Sequence, residues 1–317
     1  MDGSIASRLR DTTGSISKKK TSVYQRNWLL YLMVAPAVIL TLIFAYTPMY
    51  GVVIAFQNYE PWKGITGSSW IGLDNFRSLW AFKDVKQVIW NTFLISGMKI
   101  VAELVAPFIF ALLLNEVRHM AFKRWVQTLV YLPHFLSWVI LGGILVDLLS
   151  PSGGLVNRIL GQFGVSPIFF LGDGNWFRFT VVVSNVWKEF GFATIIYLAA
   201  LAGINPSLYE AAEVDGASRL QQTFYVTVPS LLPLMMVLGT LSLGNILNAG
   251  FDQIFNLYSS LVYSKGDIID TYVYRMGLVN GQFSFGVAFG LFKSVISTVF
   301  IVISYRLAYR YGNYRIF

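Results

Sequence analysis

The sequence predicts an all-α membrane protein with about six transmembrane helices, and three observations carry that prediction. Of its 317 residues 55% are hydrophobic and 13% charged, and the mean hydropathy is +0.58, outside the usual composition of soluble globular domains. A membrane-crossing helix takes roughly 20 apolar residues, and six stretches qualify, near 28–55, 87–115, 125–149, 176–203, 226–249 and 285–306. Lys and Arg concentrate in alternate connections, as the positive-inside bias requires.

The polar segment 1–27 holds Arg8, Arg10, Lys18, Lys19, Lys20 and Arg26. It reads as a solvated cytoplasmic tail that can lie against anionic headgroups. The first apolar stretch exceeds a signal-peptide core and has no small-x-small cleavage site after it, so it is expected to remain as a helix. Pro36 and Pro48 within it are tolerable in a membrane helix, where neighbouring groups re-satisfy freed carbonyls. The connection 57–85 reads as external, with Trp62, Trp70, Phe76, Trp80 and Phe82 as an interfacial belt or, more boldly, a docking platform.

Arg118, Lys123 and Arg124 place the next connection in the cytoplasm, and Arg306, Arg310 and Arg315 do the same for the tail 307–317. Both termini are therefore expected there. Residues 150–175, rich in Gly and Pro, read as an external turn-rich loop. Residues 250–284 read as a second external segment with two short amphipathic helices. The transmembrane domain is 28–306, interrupted by a cytoplasmic loop at 204–225.

The net charge of +8 follows from this topology and does not point to nucleic acid. The absence of cysteine excludes disulfides and thiolate chemistry. His119 and His134 lie fifteen residues apart and suggest no metal pair. No catalytic residue and no metal ligand is proposed.

The cytoplasmic loop carries the most specific pattern. Asn205 before Pro206 predicts a capped helix start, and the helix should end near Gly216. Small residues Ala211, Ala212, Gly216 and Ala217 would let a partner surface approach, and Glu210, Glu213 and Asp215 offer charge-assisted hydrogen bonds. Glu210-Ala211-Ala212, three residues, Gly216, nine residues, then Val226-Thr227-Val228-Pro229 resembles the EAA loop of binding-protein-dependent ABC importer permeases, EAA-x3-G-x9-I-x-L-P, with valine at both aliphatic positions. Asp215 and Ala217 fit the same motif.

"ATIIYLAALAGINPSLYEAAEVDGAS", "NAGFDQIFNLYSS", "IDTYVYRMGL" and "FGLFKSVISTVFIVIS" extend the resemblance over about 28–310, to the polysaccharide branch of the maltose-type superfamily, nearest the permeases of alginate-oligosaccharide importers. The resemblance implies a type I ABC importer permease fold in a bacterial cytoplasmic membrane. It implies a second related permease, two ATP-binding subunits that bring ATP and Mg2+, and an external solute-binding protein. Glu210, Ala211, Ala212, Asp215, Gly216 and Ala217 would seat the ATPase, with Pro229 as a stop that re-aims the chain. No Gly-Lys dipeptide occurs, so no Walker A loop is expected in this chain.

Ionisable residues inside spans are costly and mark function by default. Lys99 and Glu103 lie one turn apart and could pair. Lys188 and Glu189 point about 100° apart and should not simply share a face. Lys293 needs a partner from elsewhere. These groups either neutralise one another between helices, Asp147 included, or line a cavity for a carboxylated sugar. Asn245, Asn248 and Gln253 could bind sugar hydroxyls, and Trp187, Tyr197 and Tyr258 could stack on sugar rings. A gradient-driven transporter should show an inverted repeat, which is not visible; a membrane enzyme should show an acidic pair or metal site, and the histidine and cysteine inventory gives that little support.

Overall fold

A computed structural model of the chain describes residues 28–312; the tail 1–27 and Arg315 lie outside the described residues. Helix α1, Trp28–Thr41, continues through a π turn, Leu42–Tyr46, where Thr47 N–H donates to Leu42 O. The wider turn precedes Pro48, which lacks an N–H to continue the regular ladder. With the 3-10 stretch Tyr50–Phe56 the first span runs over Trp28–Phe56.

The connection after it is more structured than an aromatic loop. Strands β1, Gln57–Asn58, and β2, Ser69–Trp70, pair antiparallel, followed by helix α2, Asp74–Ala81. Asn75 Nδ2 donates to Ala55 O and Gln57 O, fastening α2 to the hairpin.

Helices α3 (Lys83–Asn115) and α7 (Gly174–Ala202) pack against each other and form the spine. Polar residues are buried along both, Asn91, Thr92, Ser96 and Lys99 on α3 and Thr180, Ser184, Asn185 and Lys188 on α7, beside apolar Ile95, Phe177 and Val181, which cluster together. Their outward positions are apolar and exposed, as at Trp90, Val101, Leu113 and Phe179. This reverses the soluble pattern, because lipid tails solvate apolar side chains while polar ones need partners inside the bundle.

The predicted third span is not one helix. Helices α4, Met120–Tyr131, and α5, Trp138–Leu149, meet at an angle of 103° across a short break. Apolar composition runs on through 125–149, but Pro133 closes a 3-10 turn, Leu132–Phe135, and Ser137 Oγ starts a new helix by accepting from Ile140 N–H. Residues 150–175 also contain helix α6, Leu155–Gln162. Asn157 bridges it to its flanks, donating to Ile168 O at 3.0 Å and accepting from Ile168 N at 2.8 Å.

Past α7 the chain forms α8, Pro206–Val214, and re-enters the membrane over Arg219–Leu243. That span contains a π turn, Thr223–Thr227, and α9, Val228–Leu243. It ends earlier than predicted, and turns from Gly244 onward lead to Gly250 at φ +91°. The two expected short helices are present as α10, Phe251–Leu257, and α11, Ile269–Val273. The long α12, Phe283–Gly312, closes the fold. Among the described residues, five helices are long and apolar enough to span, or six counting the bent pair.

One contact sets how closely α4 and α7 can lie. A Cβ built on Gly191 would fall 2.3 Å from Val130 O, a main-chain atom. Gly191→Ala is therefore expected to destabilise the purified protein by about 1–3 kcal/mol, the usual range for overpacking. Gly97→Ala, with nothing within 4 Å of the new Cβ, should leave the thermal transition in place. Equal transitions in both variants would contradict this packing.

Candidate functional site

Lys99 and Lys188 are the central residues of α3 and α7. Each ammonium bonds a main-chain carbonyl freed where another element breaks. Lys99 Nζ donates to Ala249 O at 2.7 Å and to Gln253 Oε1 at 2.5 Å, beside the irregular stretch between α9 and α10. Gln253 Nε2 in turn donates to Val181 O and Ser184 Oγ, both at 2.8 Å. Lys188 Nζ donates to His134 O at 2.7 Å, in the bend between α4 and α5.

Three expectations change here. Lys99 does not pair with Glu103, because the two carbonyl-type acceptors near Ala249 already hold its ammonium; Glu103 instead accepts from Asn185 Nδ2. Lys188 and Glu189 do pair, Nζ to Oε1 at 3.2 Å, since long stems reach across the angle between adjacent helical positions. Gln253 spends its amide on the interior and has none left for sugar. Lys293 finds its partner on another element, Asp270 Oδ1 at 2.5 Å.

The carboxylates, not the lysines, face open space. A cavity of about 450 Å3 between α3, α7 and α9 is lined by Glu103, Asn185, Glu189, Phe192 and Ser242 among others, and neither lysine lines it. Carboxylate oxygens accept hydrogen bonds, the amide both donates and accepts, and the aromatic ring offers a flat apolar face. Such a wall suits a hydroxyl-rich ligand. Tyr197, expected as a stacking ring, borders the cavity but is buried, its hydroxyl donating to Leu104 O. Trp187 is 43% exposed but lies outside this cavity. Asn245 lines a separate, largely apolar cavity with Ile301 and Tyr305, and Asn248 is exposed. Asn185, Phe192 and Ser242 had gone unnoticed; Asn185 sits one helical turn before Glu189, a spacing that could have marked it.

At the far end of the spine, α8 has the predicted local structure. Asn205 Oδ1 accepts from Ser207 N–H at 3.1 Å, Pro206 opens the helix, and Gly216 adopts φ +78°, where a side chain would be strained. Ala217 N–H donates to Ala212 O at 2.9 Å, closing the helix end. Glu210, Ala211, Asp215 and Gly216 are exposed, as is Val214 at 88%. Pro229 does not stop the chain: it lies in the first turn of α9, and the π turn absorbs its missing N–H, with Val228 N–H donating to Thr223 O. The hydroxyls of Tyr209 and Thr227, 2.9 Å apart, tie α8 to that turn.

On the opposite end, Asp267 is buried and accepts from Thr271 Oγ1 at 2.7 Å and Arg275 Nη2 at 2.6 Å. Burial pushes its carboxyl above the ordinary range, against the pull of these two donors. The Arg275 guanidinium also lies 4.0 Å from the Tyr263 ring centroid, so the segment between α9 and α12 is locked by its own side chains.

The sequence profile described as "Binding-protein-dependent transport system inner membrane component" matches residues 103–313. The chain belongs to this family. The permease is 42% identical over 284 residues to the polygalacturonan/rhamnogalacturonan transport system permease protein YteP of Bacillus subtilis (strain 168), covering 90% of this chain and 88% of the relative. It is 40% identical over 277 residues to Protein LplB of the same organism, covering 87% of each. Among solved structures it matches a bacterial ABC transporter involved in the import of the acidic polysaccharide alginate, with a TM-score of 0.83, 40% identity, and coverage of 91% of this chain and 97% of that one. A second match, at TM-score 0.84 and 39% identity, covering 92% and 98%, is the bacterial alginate ABC transporter in complex with its alginate pentasaccharide-bound periplasmic protein. The type I importer permease fold expected from the EAA-like loop is thus the fold of this permease.

Proposed function

We propose that this permease carries an acidic oligosaccharide inward, from an external binding protein to the cytoplasm, as one half of a pore completed by a second, related permease. ATP and Mg2+ act in two partner subunits, whose grooves seat Glu210, Ala211, Ala212, Asp215, Gly216 and Ala217. Both termini then lie in the cytoplasm.

The observation that carries this reading is the cavity of Glu103, Asn185, Glu189 and Phe192 beside the helix centres, in a chain 40% identical to an alginate importer subunit. Carboxylates beside an anionic cargo need an account. Glu189 is held by Lys188 and His134 and Glu103 by the Asn185 amide. The Glu189 charge is offset by Lys188 and Glu103 is hydrogen-bonded, and their remaining lone pairs accept from sugar hydroxyls.

The test uses the assembled transporter with its binding protein. Alginate pentasaccharide is expected to stimulate ATP hydrolysis several-fold, and the same pentasaccharide with its carboxyl groups reduced to alcohols to stimulate little. Equal stimulation by both would discard the acidic cargo, and stimulation by neither would discard this saccharide.

A further inference from the structure

The bend between α4 and α5 lies against the cavity wall, and one side chain connects them. His134 sits in the 3-10 turn Leu132–Phe135, where the chain leaves α4 and its carbonyls lose regular helical partners. Its main-chain oxygen receives the Lys188 ammonium at 2.7 Å. Its ring does two further things. Nδ1 lies 2.7 Å from Glu189 Oε2, and the imidazole stacks on Phe192, with centroids 4.2 Å apart and planes 3° from parallel. Glu189 and Phe192 both line the cavity, one contributing a carboxylate and the other a ring face.

A carboxylate on a flexible stem and an aromatic with a free χ2 lose freedom when they bind a ligand, unless neighbours have already fixed them. Glu189 is fixed from both oxygens, Oε1 by Lys188 at 3.2 Å and Oε2 by His134. Phe192 is fixed by the face-to-face stack. The imidazole bonds the one and stacks on the other.

We propose that His134 is a positioning residue for the transported sugar: from the bend between α4 and α5 it holds the Glu189 carboxylate and the Phe192 ring in the geometry that the sugar meets. This rests on the cavity being the sugar's pathway. His134 does not itself line the cavity, so it acts through its two neighbours.

The experiment measures alginate pentasaccharide-stimulated ATP hydrolysis by the whole transporter with its binding protein, separating KM from the maximal rate. His134→Phe keeps a ring for the stack and removes the donor to Glu189; KM is expected to rise about tenfold, a loss of roughly one buried charge-assisted hydrogen bond, at an unchanged maximal rate. His134→Asn keeps a donor near Nδ1 and removes the ring; a rise of about threefold is expected, so the donor is partly rescued. In a Glu189→Gln background, His134→Phe should add nothing further, because its effect runs through Glu189.

A lower maximal rate or less assembled transporter at unchanged KM would overturn the proposal and leave His134 as a fastening of the bend. Should His134→Phe fail to assemble, an unchanged KM in His134→Asn overturns it equally. A raised KM in Glu189→Gln with wild-type KM in both His134 variants defeats the positioning role alone. Wild-type KM in Glu189→Gln and in Phe192→Ala defeats the pathway reading itself.

Discussion

Replacing Glu210 with lysine is expected to abolish ATP-driven uptake while leaving the protein folded in the membrane. Glu210 is exposed on α8 and makes no ion pair or side-chain hydrogen bond among the described residues, so the chain itself has little to lose; exposed substitutions of this kind stay within about 0.5 kcal/mol. A partner that seats the carboxylate loses far more. Truncating one member of a desolvated charge pair costs about 2–5 kcal/mol, and charge reversal adds repulsion. Uptake in proteoliposomes should fall to background with an unchanged thermal transition of the isolated permease. Undiminished uptake would sink the assignment of α8 as the ATPase seat.

The second large effect is on stability. Lys99→Met keeps most of the stem's volume and removes the ammonium, leaving Ala249 O and Gln253 Oε1 without their donor. A buried acceptor stripped of its partner costs about 1–3 kcal/mol, and here there are two, one of them fixed beside the break after α9. The variant should melt several degrees lower or fail to accumulate in the membrane. Lys293→Met is the comparison: its pair with Asp270 retains side-chain exposure of 20% and 24%, so solvent replaces part of what is lost and the shift should be smaller. If Lys293→Met proves the more damaging, the role given to Lys99 is wrong.

Local rules of capping and turn chemistry made α8 readable in advance. Asn205, Pro206 and Gly216 act on backbone groups within a few residues, so their consequence is written beside them. The spans were readable from composition for a related reason: lipid acts on side chains one at a time. The break in 125–149 was not, because hydropathy averages over Pro133 and Ser137, the two residues that make it. The partners of the lysines were hidden more deeply. Lys99 bonds a carbonyl 150 residues away, and carbonyls carry no letter in a sequence. Searching only for acids thus paired Lys99 with Glu103 and missed both His134 O and Ala249 O. The cavity followed from the same error, since the polar groups left to face it are those the lysines do not consume.

The placement of these two ammonium groups also bears on how fast cargo can leave. A flexible polyanion drawn past bare cations would pause at each, and its escape would set the pace of every cycle. Here both central lysines are 6–7% exposed and clasped by main-chain oxygens, so on the proposed pathway they would present no adhesive lining. A passage that grips weakly at its waist lets the last step of a cycle be the resetting of the helices, not the unsticking of the load.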